Sequence, residues 1–414
     1  MTWFIRDRFG MFVHWGPYSL AARHEWVKTR ERMTDAEYQP YVDHFDPDRY
    51  DPVAWARTAR AAGMRYVVLT TKHHDGFCLW DSDLTDYKAR SDLVRPFVEA
   101  CGAEGLKVGF YHSLIDWHHP DFPVDGTHPL RDSAPDRPGD IAEYRRYLHG
   151  QVRELLTRYG TIDYLFFDFS YSTRTEWWGG KGPADWGSTE LLAMVRELQP
   201  GILVNDRLGI PGDFITPEQY QPSAPLDGLW EACQTLNGSW GYDRDNLDYK
   251  SADLLIKMLV DGVSKGGNLL LNVGPTGRGD IDPRALAVLA EIGLWMDLHE
   301  RSIRGCGPSE FTAPPDCRLT QNGDRLYLHL FSWPLRHVHL PGLAGKVRYA
   351  QLLNDASEIR RVTTDPDQVA HNTRMSGQPP GTLTLEVPVQ RPDTPVPVIE
   401  LFLSVAEIDD PPSL

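Results

Sequence analysis

The sequence has few cysteines, and their spacing shows no pairing. Its 414 residues include five cysteines, which are odd in number, scattered along the chain and free of any Cys-x-x-Cys spacing. A disulfide framework or a zinc knuckle would need such pairs. We therefore expect five reduced thiols, at Cys78, Cys101, Cys233, Cys306 and Cys317.

Basic residues are also in the minority. Lys and Arg number 42 against 58 Asp and Glu, which gives a formal net charge of -16 at pH 7. A charge of this sign repels phosphate backbones and anionic lipid headgroups. Nucleic acids and membrane surfaces are therefore not expected as partners.

Long apolar runs are absent from the sequence as well. No stretch reaches the roughly 18 apolar residues of a membrane-spanning helix. The first residues include Arg6 and Asp7, where a signal peptide would have an apolar core. On the sequence as given, we expect a cytoplasmic protein.

What the sequence does contain is an alternation of short apolar runs with helical patterns. Buried strands are predicted at 9–14, 66–73, 108–113, 162–168, 202–206 and 268–272, with weaker ones at 213–216 and 229–233. Helices are predicted at 52–63, 91–105, 141–156, 188–199, 251–265 and 283–300. Eight strands alternating with helices favour a (β/α)8-like TIM barrel over an open doubly wound sheet.

The pattern changes after Cys306. Apolar and polar residues then alternate with a period of two at 326–333, 347–353, 382–387 and 396–403, and Pro, Gly and Asp turns separate these runs. This pattern predicts a smaller antiparallel β-sandwich. We accordingly expect a (β/α)8-like catalytic domain at 1–305 and a C-terminal β-sandwich domain at 306–414.

Polar side chains follow the apolar runs where the barrel strands end. Catalytic groups of a barrel lie at this C-terminal mouth. Residues two apart on a strand share a face, so Phe12 lies beside His14, and Phe166 beside Asp168. An apolar wall next to hydroxyl-binding groups suits a sugar that has lost one hydroxyl. The strand ends supply His14, His73, His74, Tyr111, Asp168, Asn205 and Arg207.

Asp168 ends the most apolar strand and is the first candidate for a catalytic carboxylate. The alternative is that it caps the helix that follows. A glycosidase needs a second carboxylic acid across the scissile bond. Glu218 and Glu231 both have a strand-like context, and the residues alone do not decide between them.

Two other kinds of catalytic site are weaker alternatives. The run His73-His74-Asp75 admits a metal ion, but adjacent residues on a strand point to opposite faces, and barrel metallohydrolases typically use His-x-His. Ser170 and Ser172 lack the Gly-x-Ser-x-Gly setting of a serine hydrolase. We therefore expect neither a metal or other cofactor nor a serine nucleophile.

Ten short motifs occur in order along the predicted barrel. They are Phe12-Val-His14-Trp-Gly, His24-Glu-Trp26, Thr71-Lys-His-His-Asp75-Gly-Phe, Val108-Gly-Phe-Tyr111, Asp163-Tyr-Leu-Phe-Phe-Asp168, Asn205-Asp-Arg207, Thr216-Pro-Glu218, Trp230-Glu, Ser239-Trp-Gly-Tyr242 and Lys265-Gly-Gly-Asn-Leu-Leu-Leu-Asn-Val-Gly274. Together they resemble the α-L-fucosidases of glycoside hydrolase family 29. The resemblance implies a (β/α)8-like domain followed by a β-sandwich, no metal, and a retaining double displacement.

The resemblance also implies roles for individual residues. Asp168 matches the nucleophile, which forms a covalent glycosyl-enzyme with fucose, and Glu218 matches the acid/base, with Glu231 as its rival. The positions that hold the sugar hydroxyls are matched by His14, Glu25, Trp26, His73, His74, Tyr111 and Arg207. The wall around the C6 methyl group is matched by Phe12, Phe166, Trp240 and the Tyr111 ring.

Two features depart from the family pattern. Phe169-Ser170 stands where several relatives have a small residue and a tryptophan. The segment from Trp177 and Trp178 to Trp186 has no counterpart in the family pattern. These tryptophans are expected either to form a platform for the leaving group or to cover a helix end.

The residues and the resemblance together predict a retaining exo-α-L-fucosidase that acts on fucosylated glycans or oligosaccharides. One alternative is the same mechanism on an α-L-galactoside or α-L-glucoside. Another is a protein that binds fucose without hydrolysis. The linkage and the oligomeric state are left open, and the sequence is compatible with a homo-oligomer.

Overall fold

The computed structural model describes residues 2–171, 180–362 and 378–404. The chain forms two compact units. The first comprises Met1–Pro222, Leu226–Lys250 and Asn268–Glu291, and the second comprises Ser223–Pro225, Ser251–Gly267 and Ile292–Leu414. In the part of the chain that the structure describes, none of the helices has the length and apolarity needed to span a bilayer.

Eight parallel strands form the first unit's sheet. In chain order, β1 to β8 are Phe9–Val13, Tyr66–Lys72, Lys107–Ser113, Tyr164–Asp168, Leu203–Val204, Phe214–Ile215, Leu229–Thr235 and Asn268–Val273. The strand order is β5-β4-β3-β2-β1-β8-β7-β6, so β1 pairs with both β2 and β8. A parallel bridge between Asn205 and Phe214 spans the remaining gap. The sheet is a nearly closed barrel, which confirms the predicted fold class.

Side chains replace backbone pairing where the barrel strands are shortest. The side chain of Asp213 accepts from Val204 N at 2.7 Å, and the backbone N–H of Asp213 donates to Val204 O at 2.7 Å. The amide of Asn205 accepts from Phe167 N and donates to Phe167 O, both at 2.9 Å. Asn205, expected at the mouth of the barrel, therefore extends the sheet between β4 and β5 instead.

Large apolar and aromatic side chains fill the barrel interior. Because the strands of a parallel barrel are buried on both faces, they appear in sequence as nearly continuous apolar runs. This is why six of the eight strands are evident from the sequence. The interior cluster consists of Phe4, Phe12, Tyr66, Val68, Tyr111, Tyr164, Phe166, Leu203, Phe214, Cys233 and Leu270.

Helices alternate with the barrel strands as predicted. Those of the described residues, α1 to α11, are Thr2–Asp7, Tyr18–Ala21, Val27–Arg30, Asp35–Asp43, Pro52–Ala61, Val94–Ala103, Ile141–Arg158, Pro183–Trp186, Ser188–Leu198, Ala252–Ser264 and Pro283–His299. All six predicted helices are present. The longest, α7, begins at Ile141, and the side chain of the preceding residue, Asp140, accepts from Ala142 N at 2.8 Å and so caps the helix.

The second unit contains two antiparallel sheets. Strands β9 to β16 are Gly307–Pro308, Cys317–Asn322, Arg325–Leu330, His337–Leu340, Val347–Leu352, Arg360–Val362, Leu383–Glu386 and Val398–Leu403. One sheet has the order β13-β16-β11-β10-β9 and the other β12-β15-β14. Strands of both sheets contribute to one apolar core, which includes Leu326, Leu328, Leu340, Ala350, Leu385, Ile399 and Leu401.

The compact units do not divide the chain at residue 305. The second unit begins its C-terminal stretch at Ile292 and also takes in Ser251–Gly267, the segment that contains α10. Helix α10 packs on β9 and β10 of that unit, where Arg318 Nε donates to Asp261 Oδ1 at 2.6 Å. The division into domains 1–305 and 306–414 stays a prediction.

Candidate active site

A cavity of about 1030 Å³ lies at the C-terminal ends of the barrel strands. Twelve residues predicted for catalysis or sugar binding line it. Glu231, the rival acid/base, does not. The twelve residues are Phe12, His14, Glu25, Trp26, His73, His74, Tyr111, Phe166, Asp168, Arg207, Glu218 and Trp240.

Two carboxylates contact the same guanidinium nitrogen in this cavity. Arg207 Nη1 lies 2.9 Å from Asp168 Oδ1 and 2.8 Å from Glu218 Oε2. These two oxygens are therefore at most about 5.7 Å apart, which is below the roughly 6.5–9.5 Å between the carboxyl groups of inverting glycosidases. Residues 169–171, which follow Asp168 directly, are not helical, so Asp168 does not serve as a helix cap.

Asp168 ends β4, and both of its carboxylate oxygens accept hydrogen bonds. Tyr111 Oη donates to Oδ2 at 2.8 Å, and His74 Nε2 lies 3.8 Å from the same oxygen. The pairing of β3 with β4 places Tyr111 opposite Phe166, one step below Asp168. Burial raises the pKa of Tyr111 well above its ordinary value, so its hydroxyl stays a donor.

Arg207 is fixed by groups other than the two carboxylates. Its Nε donates to Thr216 Oγ1 at 2.8 Å, its Nη2 donates to Thr216 O at 3.2 Å, and its guanidinium carbon lies 4.9 Å from the centre of the Phe166 ring. Burial alone would lower the pKa of Arg207, but Asp168 and Glu218 raise it well above its ordinary value. The cation is therefore permanent.

Glu218 lies on a short loop after β6. A parallel bridge to Cys233 on β7 positions its backbone, and the N–H of Gln219 donates to Cys233 O at 3.0 Å. The Glu218 side chain is 39% exposed, whereas that of Asp168 is 13% exposed. Water can therefore reach Glu218 more readily than Asp168.

Glu231 is fully buried within the barrel. It accepts from the hydroxyl of Tyr164 at 2.7 Å and from the hydroxyl of Tyr66. Burial raises the pKa of Glu231 to about 7. The structure thus brings Glu218, and not Glu231, together with Asp168.

Three histidines predicted to hold sugar hydroxyls lie on the mouth side of β1 and β2. His14 Nδ1 is 2.6 Å from Asn272 Oδ1, and His74 Nδ1 is 2.7 Å from Ser113 Oγ. The ring centroids of His73 and His74 are 4.0 Å apart. Burial lowers the pKa of His14 and of His74 to about 3, so both rings are neutral at physiological pH.

Glu25 and Trp26 come from the long connection after β1. Glu25 is buried and its Oε2 accepts from Gly241 N at 2.8 Å. Burial raises the pKa of Glu25 to about 7. The Trp26 ring packs edge-on against His74, with centroids 5.1 Å apart. Both residues are placed to contact a ligand beside the histidines.

An aromatic wall faces these polar groups. The ring of Phe12 lies 5.2 Å from that of Phe166, 5.8 Å from that of Tyr111 and 6.0 Å from that of Trp240, measured between centroids. The predicted combination of an apolar wall with hydroxyl-binding groups is therefore present in one cavity.

Some residues that line the cavity were not identified from the sequence. Several of them lie on loops, whose path local patterns do not fix, and the others lie on the short helix α3 or the two-residue strand β6. Phe169 was noted only as a departure, yet it lines the cavity with φ at 81°, a conformation rare for a bulky residue. Others include Thr29, Arg30, Thr127, Arg131, Ile215 and Tyr220.

The predicted tryptophan platform is only partly described. Trp177 and Trp178 lie outside the described residues. Trp186 is fully buried, and its indole N–H donates to Ser170 Oγ at 3.2 Å. Trp186, the last residue of α8, is therefore part of the protein core and is not available as a platform for the leaving group.

Metal ligation was also considered for this cavity. Within residues 2–171, 180–362 and 378–404, no three His, Cys, Asp or Glu side chains are grouped so that they could hold a metal ion. The expectation that the reaction needs no cofactor stays a prediction.

Comparison with known proteins agrees with this geometry. The family model described as Alpha-L-fucosidase matches residues 1–301. The chain is similar to α-L-fucosidase isoenzyme 1 from Paenibacillus thiaminolyticus, with 47% sequence identity, a TM-score of 0.89, and coverage of 97% of this chain and 98% of that one. The tissue alpha-L-fucosidase of Bos taurus is 30% identical over 370 residues, which are 80% of this chain and 75% of the relative.

A third likeness is to a structure that contains a reaction intermediate. It is described as a trapped covalent intermediate of a family 29 α-L-fucosidase from Bacteroides thetaiotaomicron, made with 2-fluoro-fucosyl fluoride and a glutamate-to-glutamine mutant. The identity is 28% and the TM-score 0.84, with coverage of 98% of this chain and 96% of that one. The chain therefore belongs to the α-L-fucosidases of glycoside hydrolase family 29.

Proposed function

We propose that this glycoside hydrolase is a retaining exo-α-L-fucosidase, with Asp168 as its nucleophile and Glu218 as its acid/base. The observation that carries the proposal is the contact of both carboxylates with Arg207 Nη1 in one cavity. A separation below that of inverting enzymes supports direct attack by Asp168 over attack by a water molecule held between Asp168 and the sugar. The trapped covalent intermediate of the Bacteroides relative supports a reaction through a glycosyl-enzyme here as well.

In the first step, Asp168 attacks the anomeric carbon while Glu218 gives its proton to the departing glycosidic oxygen. The bond from C1 to that oxygen breaks, and an ester bond forms between C1 and Asp168. Arg207 and Tyr111 hold the Asp168 carboxylate from two sides and fix its direction of attack.

In the second step, water replaces the leaving group. Glu218, now ionised, takes a proton from that water, and the water oxygen attacks C1 and releases Asp168. The partly exposed position of Glu218 suits this exchange, because both the leaving group and the water have to reach it. Two inversions at C1 give net retention of configuration.

The wall of Phe12, Phe166, Tyr111 and Trp240 supports fucose as the sugar. Fucose has a methyl group where L-galactose has a hydroxymethyl group. A hydroxyl buried against this wall would lose its hydrogen bonds with water and gain none, at a cost of roughly 1–3 kcal/mol.

The size of the cavity supports a glycan as the natural substrate. Its volume of about 1030 Å³ is in the upper range of ligand sites and exceeds what one monosaccharide needs. Ile215 and Tyr220, which are 37% and 58% exposed, also line the cavity and lie close to Glu218 in the sequence. Because these side chains are an exposed part of the lining, we expect them to contact the leaving group.

Azide rescue tests both catalytic roles at once. With an activated aryl α-L-fucoside, Glu218→Ala should accumulate the glycosyl-enzyme, and azide should attack it to give the α-fucosyl azide. Asp168→Gly with azide should give the β-fucosyl azide by a single displacement. Proton NMR distinguishes the two anomers.

Glu231→Gln is the matched control for this experiment. It should hydrolyse the aryl fucoside without response to azide, because Glu231 does not line the cavity. If Glu231→Gln gave the α-fucosyl azide while Glu218→Ala remained fully active, the acid/base assignment would be wrong.

A further inference from the structure

A short hydrogen-bond chain runs from His14 to the backbone. The side chain of Asn272 contacts His14 Nδ1 at 2.6 Å through one terminal atom and Trp240 O at 2.7 Å through the other. A backbone carbonyl only accepts hydrogen bonds, so the atom that faces Trp240 must be the NH₂ group. The atom that faces His14 is then the carbonyl oxygen, and His14 must carry its proton on Nδ1.

A second hydrogen-bond chain runs from His74 and fixes the position of its ring proton in the same way. Ser113 Oγ lies 2.9 Å from the carbonyl oxygen of Ile115 and 2.7 Å from His74 Nδ1. The hydroxyl has one hydrogen, which has to go to the carbonyl. Ser113 Oγ therefore accepts from His74, and His74 must also carry its proton on Nδ1.

Each of these hydrogen-bond chains leaves Nε2 of its histidine as an acceptor. In a neutral imidazole with the proton on Nδ1, Nε2 has a free lone pair. Both rings line the cavity, and neither Nε2 has a hydrogen bond to the described residues. His74 Nε2 lies 3.8 Å from Asp168 Oδ2, beside the position where the sugar reacts.

We propose that Asn272 and Ser113 are positioning residues that fix His14 and His74 in the Nδ1–H tautomer, so that each Nε2 accepts a hydrogen bond from a sugar hydroxyl. The choice of ligand rests on the proposed function. Asn272 is the penultimate residue of β8 and Ser113 the last residue of β3, and neither lines the cavity. They act on the substrate only through the two histidines.

The surroundings keep both rings neutral. His14 is faced by His24, His73, His74, Tyr111 and Arg207, and His74 by Lys72, Asp168 and the Trp26 ring. Burial in this setting disfavours a second proton on either ring. A doubly protonated ring would be a donor at Nε2 and could not accept from a hydroxyl.

His73 provides an internal comparison. Its Nδ1 is buried and has no hydrogen-bond partner among the described residues. No protein group there selects its tautomer, although it lies between His14, His74 and Tyr111. The tautomer of His73 should therefore respond to the ligand, whereas those of His14 and His74 should not.

NMR of the ring nitrogens tests the proposal directly. In protein labelled with ¹⁵N-histidine, spectra that correlate ring nitrogens with the carbon-bound ring protons distinguish the two tautomers, and His14→Gln and His74→Gln assign the signals. We expect both rings to be protonated at Nδ1 and unprotonated at Nε2. A proton on Nε2 of either ring would overturn the proposal. Because no sugar is present, the result is independent of the proposed function.

Two variants show which residue sets which tautomer. Asn272→Leu should convert the His14 signal to a mixture of tautomers and leave His74 unchanged, and Ser113→Ala should do the reverse. Ser188→Ala is the matched control, because Ser188 is buried and donates to the Leu208 carbonyl at 2.7 Å but contacts no histidine. If either ring kept its tautomer after loss of its partner, that partner would not have the proposed role.

Kinetics then connect the tautomer to the sugar. With an aryl α-L-fucoside, Ser113→Ala should lower kcat/KM by about tenfold, the loss expected for one hydrogen bond, and Ser113→Thr should restore most of it. On the deoxy-fucoside that lacks the hydroxyl bound by His74, Ser113→Ala and the wild type should have nearly the same kcat/KM, because the hydrogen bond that the variant weakens is already absent. An equal loss on every deoxy-fucoside would contradict the contact with the sugar while leaving the NMR result intact.

Discussion

Asp168 and Glu218 contact the same atom, Nη1 of Arg207, at 2.9 Å and 2.8 Å. One carboxylate belongs to a buried strand of the barrel and the other to a loop, so the guanidinium sets the distance between them. The cation between them stabilises whichever of these carboxyl groups is ionised. The relative position of the proposed nucleophile and acid/base therefore depends on one side chain.

Removal of that cation should impair both catalytic steps. We expect Arg207→Met to lower kcat/KM on an aryl α-L-fucoside roughly 100-fold or more, since Asp168 and Glu218 both lose their charged partner. Steady-state kinetics measure the loss. Arg30→Met is the control, because Arg30 lines the same cavity but contacts neither carboxylate, and it should keep activity on this small substrate. Equal losses in the two variants would contradict the role of Arg207.

The hydrogen bond from Tyr111 to Asp168 should contribute less than the cation. A bond to a charged group contributes roughly 1.5–3 kcal/mol, so we expect Tyr111→Phe to lower kcat/KM roughly tenfold to hundredfold. Tyr220→Phe, which removes another hydroxyl from the cavity lining, should leave activity on the aryl fucoside within about twofold. Unchanged kinetics in Tyr111→Phe would show that Asp168 does not depend on this contact.

The aromatic wall should determine the choice of sugar. We expect the aryl α-L-fucoside to be preferred over the aryl α-L-galactoside by roughly tenfold to 200-fold in kcat/KM, the range for one unpaired hydroxyl. Phe12→Tyr places a hydroxyl in the wall and should narrow this ratio. Comparable rates on the fucoside, the α-L-galactoside and the α-L-glucoside would instead favour a broader α-L-glycosidase.

Glu231 should make stability depend on pH. Burial raises its folded-state pKa from 4.5 to about 7, so between these values the unfolded chain releases a proton that the folded chain retains. The free energy of unfolding should therefore fall as pH rises through this window, by up to about 1.4 kcal/mol per unit. Denaturant unfolding from pH 5 to 8 should show Glu231→Gln gaining stability relative to the wild type.

An exposed glutamate provides the control for that experiment. Glu310→Gln should give a curve of stability against pH parallel to that of the wild type, because Glu310 is exposed. Glu25 also has its pKa raised by burial to about 7, but it is present in all three proteins and cancels in the comparison. A parallel curve for Glu231→Gln would mean that Glu231 is ionised in the folded protein throughout this range.

The barrel was predictable because its strands are buried on both faces. Of the two weaker predictions, β6 has only two residues, and β7 is interrupted by the polar residues Glu231 and Gln234. β5, predicted at 202–206, also has only two residues and depends on the side chains of Asp213 and Asn205. In the second unit, the sequence predicted β11, β13, β15 and β16 but not β9, β10, β12 or β14. β9, β12 and β14 have only two to four residues, too few for a period of two to be recognised, and β10 is polar at four of its six positions. Asn205 was expected at the mouth because a polar strand end alone does not show whether it serves the site or the sheet.

The candidate site was predictable where it lies on strand ends. Asp168 and Tyr111 follow from strand periodicity, but Glu218 lies on a loop, and its approach to Asp168 depends on closure of the barrel. Glu231 shares a face of β7 with Cys233, which lines the cavity, but it lies two residues earlier and therefore one layer deeper. Periodicity gives the face of a strand and not the depth, so it could not exclude Glu231.

The central claim is that Asp168 forms a covalent bond with the fucosyl group. Incubation of the wild type with 2-fluoro-fucosyl fluoride, followed by intact-protein and peptide mass spectrometry, tests it most directly. We expect one fluorofucosyl group per chain, located on Asp168, and none in Asp168→Asn. A label on Glu218 or Glu231, or no label on an enzyme that still hydrolyses aryl α-L-fucosides, would contradict the account.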